Sequence, residues 1–69
     1  MISEEFVGWL SDVGYRETAR RMTSAGFPIR YQSIQYWVES EDGIPAKWIK
    51  PVEQVTSIRR ELLRPELYD

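Results

Sequence analysis

Sixty-nine residues, 42% of them hydrophobic and 13% aromatic, leave room for one domain with one modest core, and they exclude a chain too polar to fold. With no Cys and no His there is no disulfide framework, and a zinc site would have to be built from carboxylates alone. The formal net charge of −2 has the wrong sign for a ligand covered in phosphates, so any nucleic-acid reading must rest on how the charge is distributed.

The first element predicted is a helix capped by Ser3. Glu4 and Glu5 fall in its first turn, where the helix dipole favours acids, and Phe6, Leu10 and Val13 recur at helical spacing until Gly14 ends it. A second helix is expected from about Arg16 to Ser24. It turns Ala19 and Met22 inward and sets Arg16 and Arg20 one turn apart on an outer edge that could clamp a phosphate. Ala25-Gly26-Phe27-Pro28-Ile29 cannot continue that helix: Gly26 suits a left-handed terminal position and Pro28 disfavours helical geometry at Phe27. Phe27 and Ile29 are expected to plug the core.

A third helix runs from about Tyr31 to Glu39, with Ile34, Trp37 and Val38 facing inward. Its start and outer face carry Arg30, Tyr31, Gln32, Ser33, Gln35 and Tyr36, with no acid among them. Amide side chains donate and accept at once, matching the acceptor and donor that adenine shows in the major groove. Two consecutive helices joined by a Gly-Phe-Pro turn read as a helix-turn-helix over about 16–39. Ile44-Pro45-Ala46 then reads as a helix start, followed by the apolar positions Ile49, Val52 and Val55. Pro51 predicts a kink or break near Lys47 to Lys50, because an interior proline costs about 3 kcal/mol in a straight helix. A last short helix is expected from about Ile58 to Leu63, ahead of Pro65 and a tail over about 64–69. No strand pattern, repeat or low-complexity tract appears.

Charge follows these elements. Residues 1–14 carry Glu4, Glu5 and Asp12 with no base, whereas 15–38 carry Arg16, Arg20, Arg21 and Arg30 against Glu17 alone. Residues 39–43 add Glu39, Glu41 and Asp42; residues 44–64 add Lys47, Lys50, Arg59, Arg60 and Arg64 against Glu53 and Glu61. Screening acts over roughly 8 Å at physiological salt, so local sign outweighs the total, and the predicted helix pair is locally basic.

From Gly14 onward the chain resembles the small phage-type Cro regulators and the related YdaS-type antitoxin proteins. The likeness is carried by Trp37 closing the third helix, Ile44-Pro45-Ala46 opening the next, Glu53 and Thr56 ahead of the last, and the Leu-Arg-Pro-acid-Leu-Tyr ending from Leu63 to Tyr68. It implies an all-α, lambda-repressor-like domain of five short helices that docks its third helix in operator DNA, and a phage or prophage origin. Two departures stand out. About five residues, Ser24 to Pro28, stand as an insertion between the paired helices, and Arg59 and Leu62 stand where members often place a serine cap and a glutamate.

On this reading Arg30, Tyr31, Gln32, Ser33, Gln35 and Tyr36 are expected to read bases, and Arg16, Arg20 and Lys47 to hold phosphates. The competing account of the glutamines and of Lys47 is a plain solvated surface, that of Arg30 a surface ion pair, and that of the tyrosines a cover for the core edge. Trp9, Trp48, Leu62, Leu67 and Tyr68 are the candidates for a dimer contact, and a symmetric dimer would suit half-sites about one helical turn apart. Catalysis is not expected: there is no His, no Cys and no phosphate-binding glycine loop. Neither a cofactor, a small-molecule ligand nor a membrane partner is expected, and the expected setting is the cytoplasm of a bacterial host. The other class of function is a protein interaction module, such as an antitoxin or antirepressor, acting through the acidic first helix and the aromatic tail.

Overall fold

The computed structural model of the protein describes residues 2–67 and is all-α, with five α-helices and no strand among the described residues. Helix α1 (Glu4–Val13) starts as its sequence dictates: the Phe6 N–H donates to the Ser3 hydroxyl at 3.0 Å, and Glu4 and Glu5 lie in the first turn. Gly14 ends α1 and also opens α2 (Tyr15–Ser24), at a φ of 89° that a side chain would strain. The two helices therefore meet with no loop between them. Thr18, which the apolar pattern does not mark, is fully buried at this elbow. Its hydroxyl donates to the Gly14 carbonyl at 2.6 Å and accepts the Trp9 indole N–H at 3.1 Å, satisfying a buried polar group while tying α1 to α2.

Helix α2 buries Ala19 and Met22 as expected and stops in a Schellman arrangement. The Phe27 N–H donates to the Met22 carbonyl at 2.8 Å and the Gly26 N–H to that of Thr23 at 3.1 Å, with Gly26 at a φ of 97°. Half-buried Phe27 and Ile29 pack against the core from the connection 25–30. Helix α3 (Tyr31–Glu39) has the predicted bounds and buries Ile34 and Trp37, the latter with its ring 5.7 Å from that of Trp48.

Of the kink or break expected near Lys47 to Lys50, the break is absent. Helix α4 (Ala46–Thr56) runs on through Pro51, with Pro45 as its N-cap. Ile49 and Val52, both fully buried, anchor it on either side of the proline. Lys47, whose carbonyl loses its donor, is exposed where water can replace the missing N–H. Tertiary burial thus overrides the local penalty.

The last helix is also shorter than expected. Helix α5 (Arg60–Leu63) is one turn, followed by a 3-10 turn at Pro65–Leu67. Ser57 takes a left-handed φ of 63°, and the Ile58 N–H donates to the Thr56 hydroxyl, so the chain is still turning where a helix was predicted to begin. Glu53 supplies the cap the sequence lacked nearby: its carboxylate accepts the Arg60 N–H at 2.7 Å. Arg64 closes the fold by donating to the Ile44 carbonyl at 2.7 Å and to Glu66 at 2.6 Å.

Every α-helix feeds one core. Phe6, Leu10, Ala19, Met22, Ile34, Trp37, Ile49, Val52 and Leu63, joined by Ile44, form its buried cluster. No helix among the described residues is long and apolar enough to cross a membrane. Leu62 and Leu67 remain 45% exposed, and Tyr68 lies outside the described residues.

Candidate nucleic-acid interface

The core fixes how α3 presents its remaining surface. Burying Ile34 and Trp37 leaves the opposite strip to Gln32, Gln35, Tyr36 and Glu39, which recur at the three- and four-residue spacing of one helix face. Gln32 and Tyr36 are exposed, Tyr36 to 68%, and Gln35 is half-buried. Arg30 occupies the N-cap position with no side-chain cap bond and, like Ser33, is exposed. Glu39 is an exposed acid on that same strip. It stands seven residues beyond Gln32, about 10 Å along the axis at 1.5 Å per residue, and so marks the C-terminal limit of the uncharged and basic surface.

An open groove of about 370 Å³ runs between α2 and α3, and it brings together five of the nine expected site residues: Arg16, Arg20, Arg30, Tyr31 and Gln32. Ala19 and Ile29 give it an apolar floor. Ser33 joins Arg30 in a neighbouring hollow beside Trp48, and Gln35 joins Arg16 and Tyr31 in another. Tyr36 stands apart on the exposed strip. Lys47 is exposed in the first turn of α4, a turn without a side-chain cap, and lines none of these hollows.

The three arginines of the groove are held differently. The Arg16 guanidinium lies 4.8 Å from the Tyr31 ring centroid and donates to the Tyr31 hydroxyl at 3.4 Å. Tyr31 is half-buried against the core, so its ring serves as a platform for Arg16 more than as an open reading edge. Arg20 forms a fork with Glu17, donating from Nε at 2.8 Å and from Nη2 at 2.6 Å, and Arg21 donates to the same carboxylate at 2.9 Å. Arg30 has no acidic partner among the described residues.

Glu17 is thus paired with two arginines on its own helix. The hydrogen bonds from Arg20 and then Arg21 pull its carboxyl from an ordinary 4.5 down to about 2, and Arg20 is correspondingly raised by its bond to Glu17. The pairing could have been read from spacing, since an acid three and four residues ahead of arginines on one helix is the favoured order. Trp9 and Trp48, considered for a dimer contact, have partners within the chain. The Trp9 indole N–H is bonded to Thr18 with Arg21 5.5 Å from its ring, and Trp48 packs on Trp37.

No group of three or more acidic side chains among the described residues could hold a metal ion. No protein-family model matches the chain, and neither a curated protein nor a solved structure matches it. Geometry and charge at the α2–α3 surface carry the functional argument alone.

Proposed function

We propose that the chain is a sequence-specific DNA-binding transcriptional regulator, a repressor of the Cro type, in which α2 and α3 act as a helix-turn-helix and α3 enters the major groove of a double-stranded operator. The observation that carries this reading is the α2–α3 groove, which Arg16, Arg20 and Arg30 line together with exposed Gln32, while exposed Ser33 shares the neighbouring hollow with Arg30. Basic side chains beside polar, uncharged ones divide the work that duplex recognition requires: arginines hold the backbone, and amides and hydroxyls address base edges. Arg30, without an acidic partner at the start of α3, is the side chain best placed to touch a phosphate or a guanine. Gln32 and Tyr36 follow it outward, Tyr36 offering its ring to a thymine methyl. Lys47, in a first turn of α4 that has no side-chain cap, supplies a phosphate contact to one side.

On DNA the protein acts as a homodimer over half-sites about one helical turn apart and represses by excluding polymerase, within the cytoplasm of a bacterial host. It is not an enzyme and needs no cofactor. The test is a fluorescence anisotropy titration against DNA from upstream of its own gene and against a scrambled duplex, at two salt concentrations. Preferential binding to the upstream DNA that weakens as salt rises supports the reading. No shift on any duplex overturns it in favour of a protein interaction module.

A further inference from the structure

We propose that Glu17 is an internal stand-in for a DNA phosphate, holding Arg20 in the free protein and yielding it when a duplex docks, an inference that rests on the DNA-binding reading above. The geometry is that of the ligand it replaces. Arg20 presents two N–H groups to the two oxygens of one carboxylate, at 2.8 Å to Oε1 and 2.6 Å to Oε2, the same two-pronged match a guanidinium makes with phosphate oxygens. The pair is accessible: the Arg20 side chain is 67% exposed and that of Glu17 34%, so the exchange needs a rotamer change and no unfolding. It is also correctly placed, since Arg20 lines the α2–α3 groove with Arg30 and Gln32, while Glu17 borders the adjoining hollow with Arg16 and Gln35.

The exchange changes ion traffic in a measurable way. When a phosphate takes Arg20, the Glu17 carboxylate stays beside it, still held by Arg21, so the positive charge brought to the phosphate is offset and fewer condensed cations leave the DNA. That contact then adds little to the salt dependence of binding. The carboxylate, close to the same phosphate, also opposes sequence-independent adhesion. Arg21 is held by Glu17 as well, yet it lies toward the Trp9 ring on α1 and away from the groove, so Arg20 is the arginine through which the effect runs.

The experiment compares wild type with Glu17→Gln, which keeps size and one acceptor but not the charge, on the upstream and scrambled duplexes across a salt series. The expected result is tighter binding to both duplexes and a log–log salt slope steeper by about 0.9, so that raising salt from about 50 to about 200 mM weakens Glu17→Gln about three- to fourfold more than wild type. In an Arg20→Ala background most of that gain and of the change of slope should vanish, leaving only the small gain that comes from removing a carboxylate near the phosphates. A wild type that binds its DNA while Glu17→Gln leaves affinity and slope unaltered overturns the inference and spares the DNA reading. A gain as large without Arg20 as with it overturns it too, pointing to net charge alone. A wild type that binds no duplex removes both.

Discussion

Glu53→Ala removes the group that starts α5, and its cost can be worked from the structure. The carboxylate accepts the Arg60 N–H at 2.7 Å from seven residues upstream and stands 3.7 Å from the Arg60 guanidinium, while Arg59 at the N-cap position makes no side-chain bond that could replace it. Losing a helix cap costs about 0.5–2 kcal/mol, and a hydrogen bond to a charged group is worth about 1.5–3 kcal/mol, so a loss of about 1–2 kcal/mol is expected for this half-exposed site. Stabilities of about 0.05–0.15 kcal/mol per residue give a chain of this size a total of only about 3–10 kcal/mol. For domains of 60–100 residues each kcal/mol moves the melting temperature by about 4–8 °C, so a fall of about 5–15 °C is expected. The loosening should spread, because the single turn of α5 carries buried Leu63 and leads into the Arg64 bond to Ile44. Thermal unfolding followed by far-ultraviolet circular dichroism measures it, with Glu53→Gln, which keeps an acceptor without charge, expected in between. A melting point for Glu53→Ala within about 2 °C of wild type, or equal losses for Ala and Gln, would refute the reasoning.

Trp37→Ala removes a ring only 4% exposed that packs on Trp48, and the expected loss of about 3–5 kcal/mol should leave much of the protein unfolded at room temperature in a urea titration. Because the Glu17 carboxyl sits near 2 when folded against an ordinary 4.5, the stability from its arginine pair is fully present above pH 4.5 and is lost as pH falls through about 2; Glu17→Gln should lack that limb of an acid-unfolding curve. Gln32→Ala should cost about 1–3 kcal/mol on the specific operator and flatten sequence preference, whereas Arg20→Ala should weaken all duplexes alike, both read by anisotropy. Identical behaviour of the two variants would sink the assignment of roles across the groove.

How much of this could be read beforehand depended on the range of the interaction. Ser3, Gly14 and Gly26 act within a turn of themselves, so the bounds of α1, α2 and α3 followed from the chain to within a residue. Apolar spacing likewise found Phe6, Met22, Ile34, Trp37, Ile49 and Val52. Pro51 does not interrupt α4, because its penalty is local while the burial of Ile49 and Val52 that offsets it is tertiary. The start of α5 misled for the complementary reason: its cap comes from Glu53, outside the three-residue window in which caps are sought. At the candidate site, residue identity picked out five side chains that share one groove, but not that Tyr31 turns half inward beneath Arg16 or that Glu39 ends the strip. A face is decided by which positions the core claims, and one helix cannot reveal that by itself.

The residues behind the Cro-type likeness can be sorted by what they do here. Trp37 and Ile44 are buried, Glu53 caps α5, the Thr56 hydroxyl bridges the Val52 carbonyl and the Ile58 N–H, and Arg64 ties the end of the chain to Ile44. All five maintain the scaffold. Arg30, Gln32, Ser33, Tyr36 and Lys47, by contrast, are exposed, and none of their side chains makes a hydrogen bond or ion pair among the described residues. Changing them should cost the fold little, whereas changing the first group should cost it much. A scaffold that leaves its outward α3 positions without structural duties can alter what it recognises without first being restabilised. Glu17 is the exception: it pairs with Arg20 and Arg21 on α2 and borders the hollow beside α3, so on the proposed DNA-binding reading its charge would set affinity without itself contacting a base.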